Sequence, residues 1–310
     1  MFKPIRITPH FYQLGTKQFP VYLSIGEIGM LIEGGTGPTA QIIVEQLREL
    51  EIPPERIKFI ALTHTHADHI GAIPRLKKIW KHIKVIGSKK GADILKNNGI
   101  LKEFLWIDKN IAELMRKRKE IDSLPEPLKE YDFTVEIIVK EGDRIELGDG
   151  IVWHVFETPG HSACHLAYYE EKEGCLIIGD ATGFYVPEKD VFWPNYFDSL
   201  NKYLSSIRKL SNLDAKIGAL SHNCVIQNGL KDYFDKAIKA TIAYHEEMIE
   251  RIKKGEDKEQ IATEKANWVN TLTDIQPYKV MLNLSRLLIK KSIEAIKEKG
   301  RRRDAAEDIS

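Results

Sequence analysis

Cysteine is scarce in this 310-residue chain: Cys164, Cys175 and Cys224 are the whole set, and no two stand in a Cys-x-x-Cys pair. An odd, unpaired set excludes a disulfide framework and argues for a reducing compartment. Long hydrophobic runs are also lacking. No stretch of about 20 apolar residues exists to cross a bilayer, and the opening MFKPIRITPHFYQLG has no apolar signal-peptide core. A cytoplasmic protein with no membrane partner is therefore expected. Neither charge is in excess, since 46 Lys+Arg stand against 45 Asp+Glu for a formal charge of +1. Holding a nucleic-acid backbone needs clustered Lys and Arg, so no nucleic-acid partner is expected. No repeat of 20–50 residues marks a solenoid, and no Gly-x-Ser-x-Gly elbow offers a serine nucleophile.

What the chain does have is a hydrophobic content of 43%, ample for a sizeable core. Residues 10–87 alternate strand and helix signals. Val21–Ile25, Met30–Glu33, Ile57–Leu62 and Lys84–Gly87 read as strands, Pro38–Leu50 and Ile70–Trp80 as helices. A charged helical insertion follows over about 88–130, closed by Pro125 and Pro127. Strand signals return at Phe133–Val139, Arg144–Leu147, Ile151–Glu157, His165–Tyr169, Cys175–Ile178 and Lys216–Leu220, with a helix near Asp198–Leu210. Residues 228–300 carry helical apolar stripes that Gly300 is expected to end, and 301–310 form a polar tail. The pattern predicts a catalytic domain over 1–227, a helical cap over 228–300 packed on its site, and that tail.

The densest chemistry is Thr63-His64-Thr65-His66-Ala67-Asp68-His69, three imidazoles and a carboxylate directly after a strand. A turning loop can aim such side chains inward, whereas a regular strand would divide them between two faces. Imidazole and carboxylate suit zinc, iron and manganese. Three more candidates stand at strand ends: His161 in Thr158-Pro159-Gly160-His161, Asp180 after Leu176-Ile177-Ile178-Gly179, and His222 after Ala219-Leu220-Ser221.

This order, His-x-His-x-Asp-His, then Gly-His, then Gly-Asp, then a late His, resembles the metallo-β-lactamase-fold hydrolases over about residues 10–226. The resemblance implies a four-layer αββα sandwich of α+β class. It implies two metal ions per chain, zinc or iron, with manganese a third option. His64, His66 and His161 would hold one metal, Asp68, His69 and His222 the second, and Asp180 would bridge them. Hydrolysis would use a metal-bridging hydroxide, with Asp68 and Asp180 as the catalytic carboxylates and Asp68 able to take the proton as the tetrahedral intermediate breaks down. Where the family's first motif usually has Asp in a Gly-bounded turn, this chain has Glu33 in Leu31-Ile32-Glu33-Gly34-Gly35, a position that supports the ligands rather than joining them.

Within that family the chain is most similar to the quinolone-signal thioesterase branch, which hydrolyses an aromatic β-keto acyl thioester of coenzyme A. Three features carry the likeness: the Glu33 variant, the insertion after Gly87 and the helices after the last ligand. A small-molecule thioester or ester substrate is thus expected, with lactonase, glyoxalase-II-like and phosphodiesterase activities as alternatives. A metal-binding regulatory protein with incidental hydrolysis is a reading of another class. The helices at 100–120 are either a homodimer face or solvated.

Other conspicuous residues have plainer readings. His165 is expected to support the ligands, His154, His10 and His82 to be ordinary surface or packing residues, and His245 to pack at a helix edge. Cys164 and Cys224 read as small buried hydrophobes. Phe184, Tyr185, Phe192, Trp193, Tyr196 and Phe197 are either core or a pocket wall for an apolar acyl group.

Overall fold

The computed structural model describes residues 2–307, with side-chain surroundings described through residue 299. The chain divides into two compact units. Residues 1–157, 164–179 and 213–230 form the first, and residues 158–163, 180–212 and 231–310 the second.

The first unit begins with β1 (Ile5–Arg6), β2 (Phe11–Gly15), β3 (Pro20–Ile25), β4 (Gly29–Ile32), α1 (Thr39–Glu49), β5 (Ile57–Ala61), α2 (Ala67–Ile70), α3 (Ile73–Ile79), β6 (Lys84–Gly87), α4 (Lys89–Ile94), α5 (Asn98–Lys117) and β7 (Ile137–Ile138). These seven strands make one sheet in sequence order, antiparallel from β1 to β4 and parallel from β4 to β7. Then come β8 (Arg144–Gly148), β9 (Ile151–Glu157), β10 (Leu166–Glu170) and β11 (Cys175–Gly179). In the second unit follow β12 (Phe184–Val186), β13 (Val191–Trp193) and α6 (Leu200–Ser211). Back in the first unit, β14 (Ile217–Leu220) and β15 (Val225–Ile226) complete a second sheet ordered β15-β14-β11-β10-β9-β8. The remaining elements are α7 (Leu230–Lys253), α8 (Lys258–Leu272) and α9 (Tyr278–Glu307).

The two sheets share one apolar core. Phe11, Tyr22, Met30 and Ile32 from the first meet Trp153, Val155, Leu166, Tyr168 and Ile177 from the second. The opposite face of the first sheet, with Val21, Leu23, Leu31 and Ile60, packs under Ile43 and Leu47 of α1 and Ile73 and Leu76 of α3. Both faces of β3 and β4 are therefore covered, which is why they read as unbroken apolar runs rather than alternating ones. Each fully buried aliphatic or aromatic side chain adds roughly 1.5–3 kcal/mol.

Three buried tyrosine and tryptophan donors tie the sheets together. Trp153 Nε1 donates to Ser24 Oγ at 2.9 Å, Tyr22 Oη to the Leu220 carbonyl at 2.5 Å and Tyr168 Oη to the Leu62 carbonyl at 2.6 Å. Leu62 opens the histidine loop and Leu220 leads to His222, so two of these bonds fix the strand ends that carry candidate ligands. Burial, with Cys224 and Glu33 adding to it, pushes the Tyr22 hydroxyl well above its ordinary value and keeps it a donor.

Several elements differ from the sequence reading. The stretch Ile70–Trp80 is two helices, because the backbone N–H groups of Gly71 and Ala72 donate to the Gly35 and Gly34 carbonyls at 2.7 and 3.0 Å instead of continuing a helical ladder. The expected strand Phe133–Val139 pairs only at Ile137–Ile138. Tyr131 and Phe133 are buried in the helix-side core, so their alternation records packing without a ladder. Helix α9 runs through Gly300 to Glu307. A helical glycine costs only about 1 kcal/mol, and the neighbouring Lys, Arg and Ala are good helix formers. Residues 308–310 of the expected tail lie outside the described residues. Strands β1, β2, β12, β13 and β15 were not expected.

In the second unit, β12 and β13 form a hairpin whose aromatics stack on α7: Tyr185 and Phe192 lie with ring centroids 5.3 and 5.2 Å from Tyr233. Phe184, Phe192, Trp193 and Tyr196 are buried. Tyr196 Oη and Ser292 Oγ, 2.8 Å apart, link this segment to α9.

Candidate metal centre

In the first unit the chain turns sharply after β5. His64 and His66 occupy the turn, with His64 Nε2 2.9 Å from His66 Nδ1. His66 is the N-cap of α2, whose first turn presents Asp68 and His69. A single helical turn places these two beside His222, which follows β14 on the other sheet. The ligand-type atoms of Asp68, His69 and His222 all lie within 4.8 Å of one another. His69 Nε2 is 3.6 Å from Asp68 Oδ1, and His222 Nε2 is 3.8 Å from Asp68 Oδ2. His64 stacks near His69, ring centroids 4.0 Å apart, and His165 backs His64 at 5.3 Å.

Two of these imidazoles are oriented by an oxygen behind them. His222 Nδ1 donates to the Gln18 carbonyl at 2.8 Å. His69 Nδ1 donates to Glu33 Oε2 at 2.9 Å. A carbonyl or carboxylate only accepts, so Nδ1 carries the proton and Nε2 the lone pair in both rings. That tautomer is the one a metal ligand needs. Three lone-pair donors within 4.8 Å, two nitrogen and one carboxylate, fit a zinc-type or iron-type cation.

Glu33 is the hub beneath this set. Its backbone takes a left-handed conformation, φ 77, and its N–H donates to the Ala61 carbonyl at 3.0 Å. Its carboxylate accepts from Thr63 Oγ1 at 2.8 Å, Ser221 Oγ at 2.6 Å and His69 Nδ1 at 2.9 Å. A buried carboxylate is costly unless its oxygens are satisfied, and here three donors do so, two from strand ends and one from α2. The cost of the left-handed backbone, about 1–3 kcal/mol, is held by these bonds.

In the second unit, His161 and Asp180 lie together, His161 Nε2 3.4 Å from Asp180 Oδ2. The Asn195 carbonyl accepts from His161 Nδ1 at 2.9 Å, the same orientation logic as for His69 and His222. Gly160 sets His161's approach: its φ is 135, and a Cβ there would lie 2.2 Å from the Tyr203 backbone nitrogen. Its carbonyl accepts from Asp198 N and Ser199 N, which pins the turn.

Of the expected ligands, five thus gather in the first unit, and the other two pair in the second. Sequence reasoning missed the groups behind them: the Gln18 and Asn195 carbonyls, and Gln46, whose side-chain amide grips both the N–H and the C=O of Gly15 at 2.7 and 3.1 Å. Carbonyl acceptors leave no sequence signal. Gln46 did, as a polar residue beside Ile42, Ile43 and Leu47 on the buried face of α1. Cys164 is buried with Sγ 3.6 Å from Thr65 Oγ1, and His82 is exposed, both as expected.

The model of the metallo-β-lactamase superfamily matches residues 20–222. The chain belongs to that superfamily. Its fold is accordingly the metallo-β-lactamase sandwich with added C-terminal helices, and it is a hydrolase of that class. The solved structure of a metallo-β-lactamase family protein from Thermus thermophilus superimposes with a TM-score of 0.65 over 95% of each chain at 20% identity. The "Probable metallo-hydrolase YqjP" of Bacillus subtilis is 29% identical over 238 residues, 70% of this chain and 71% of that protein. A hydroxyacylglutathione hydrolase of Legionella pneumophila is 27% identical over 124 residues, 40% of this chain and 33% of that enzyme. The atrochrysone carboxyl ACP thioesterase of Aspergillus fumigatus is 25% identical over 214 residues, 66% of this chain and 50% of that enzyme. The chain therefore spans only a third to a half of these last two relatives. No helix among the described residues is long and apolar enough to cross a membrane.

Proposed function

We propose that the chain is a binuclear metal-dependent thioesterase. The observation that carries the metal assignment is the Asp68–His69–His222 cluster, with both imidazoles presenting Nε2 because Glu33 and Gln18 hold Nδ1. In this reading the ligand set is that of the sequence order. His64, His66 and His161 hold one ion, Asp68, His69 and His222 the other, and Asp180 bridges. Two such cations would supply a hydroxide nucleophile near neutral pH and polarise the scissile carbonyl.

The chain's own groups do the rest. Glu33, pinned by Thr63 and Ser221, fixes the His69 ring. Asp68 stands between two imidazoles, where a carboxylate oxygen can accept a proton as the tetrahedral intermediate collapses. A thiolate leaves readily without a strong general acid, and the ligand set offers none, since its carboxylates accept protons and the Nε2 lone pairs of His69 and His222 would be taken up by metal. That chemistry suits a thioester, and two relatives named for thioesterase and hydroxyacylglutathione hydrolase activities support it. The proposal takes a small acyl thioester as substrate, with residues 228–300 as a cap that limits its size.

The test is hydrolysis of an aromatic acyl-coenzyme A thioester by the metal-loaded protein beside an Asp180→Ala control. Turnover that vanishes in the control supports the thioesterase. No turnover with both metals verified sinks it and moves lactones and phosphodiesters ahead.

A further inference from the structure

The inserted helix α5 carries a carboxylate in an unexpected place. Asp108 is 4% exposed, on the same face as Phe104, Ile111 and Met115. Its Oδ1 accepts from the Gly37 N–H at 2.7 Å. Two glycines close around it: a Cβ at Gly37 would lie 2.5 Å from Oδ2, and a Cβ at Gly71 would lie 2.5 Å from Oδ1. Burial raises the Asp108 carboxyl above its ordinary value, opposed by the Gly37 N–H and the nearby Arg75 guanidinium. A carboxyl kept buried against that cost is positioned for a reason other than apolar packing.

Those glycines belong to the two segments that aim the second metal set. Gly34–Gly37 follows Glu33, and Gly71 ends α2, which bears Asp68 and His69. The segments are zipped by Gly34 N to the His69 carbonyl at 2.8 Å, Gly71 N to the Gly35 carbonyl at 2.7 Å, and Ala72 N to the Gly34 carbonyl at 3.0 Å. Helix α5 reaches the same zipper a second time, where Thr36 Oγ1 lies 3.5 Å from Met115 Sδ.

We propose that Asp108 is a positioning residue through which the helical insertion sets the spacing of Asp68 and His69 for the metal they share with His222. Removing it leaves the Gly37 N–H buried without its acceptor and lets the Gly37 and Gly71 turns move apart. The ligands keep their identity and lose their fixed separation. The role rests on reading Asp68, His69 and His222 as ligands of one metal.

The experiment is a zinc titration of the apo full-length chain against a chromophoric chelator, with the cobalt(II) absorption spectrum as a second readout. The variants are Asp108→Ala and Asp108→Asn, each checked for folding by circular dichroism. Folded Asp108→Ala is expected to bind one of its two zinc equivalents roughly 10–100-fold more weakly and to show an altered cobalt spectrum. Asp108→Asn, which keeps an oxygen for Gly37, is expected to recover most of the affinity. A residue that only stabilises the fold would lower the melting temperature and leave both affinities alone, and that result overturns the role. If Asp108→Ala does not fold, Asp108→Glu carries the test. It keeps the charge, displaces the acceptor by a methylene and is expected to weaken binding; wild-type affinity there overturns the role equally. A wild-type chain with no zinc at Asp68–His69–His222 would instead overturn the ligand reading beneath it.

Discussion

Glu33 accepts the His69 Nδ1 proton at 2.9 Å from a left-handed backbone position, φ 77. The same carboxylate is held by hydroxyl donors from two other strand ends, Thr63 and Ser221. One side chain thereby couples β4, β5 and β14 to the orientation of one imidazole. Glu33→Gln keeps the size but removes the charge, and turns one acceptor into an NH2 group that cannot accept from its donors. It is expected to lower metal affinity by roughly 10–100-fold, measured by chelator competition on the folded protein.

Gln46 makes a comparable clamp at greater distance. It holds Gly15 at both backbone atoms, and the same turn presents the Gln18 carbonyl to His222. Gln46→Ala strands a buried N–H and C=O, so a loss of about 1–3 kcal/mol is expected in urea denaturation. An unchanged midpoint would show that the turn holds itself.

Gly160→Ala probes the other unit. The added methyl would meet the Tyr203 backbone nitrogen at 2.2 Å, and φ 135 is open only to glycine at low cost. Neither the α6 backbone nor the turn has a flexible side chain to yield. The variant is expected to lose the metal proposed to be held by His161 and to melt at lower temperature; wild-type metal content and melting would contradict the placement of that turn.

The helical unit has its own pH dependence. Burial holds His245 below its ordinary value, with Glu246 pulling it up and Lys299 pushing it down, and its Nδ1 is buried without a hydrogen-bond partner among the described residues. The unfolded chain takes up this proton near pH 6.5 and the folded chain only at lower pH. The stability His245 contributes is therefore complete above about pH 6.5 and lost as pH falls through the folded value. His245→Gln is expected to flatten the drop in melting temperature between about pH 6.5 and 5. An unchanged slope would place the titration elsewhere.

The sandwich was legible where burial on both faces produced plain apolar runs, as at β3, β4 and β11. It was illegible where tertiary bonds overrode local preference. Gly71 and Ala72 break a periodic helix because their N–H groups serve the Gly34–Gly35 turn. Tyr131 and Phe133 alternate like a strand but pack without pairing. The hairpin β12–β13 was hidden because its aromatics signal packing more strongly than turn chemistry. At the site, the candidate ligands themselves were readable because imidazoles and carboxylates clustered at strand ends are rare. Of their supports, Glu33 was readable from its Gly-bounded turn, whereas the backbone carbonyls of Gln18 and Asn195 were not, because every residue has one. Asp108 was readable in principle, as a carboxylate on the apolar stripe of α5.

The most direct test of the central claim counts metal in the folded chain. After zinc loading and exhaustive dialysis, metal per chain is measured by plasma mass spectrometry for wild type and for His222→Ala. The expected result is about two ions for wild type, as a two-metal site requires, and about one for the variant. Equal counts in the two proteins would contradict the assignment of Asp68, His69 and His222 to a metal.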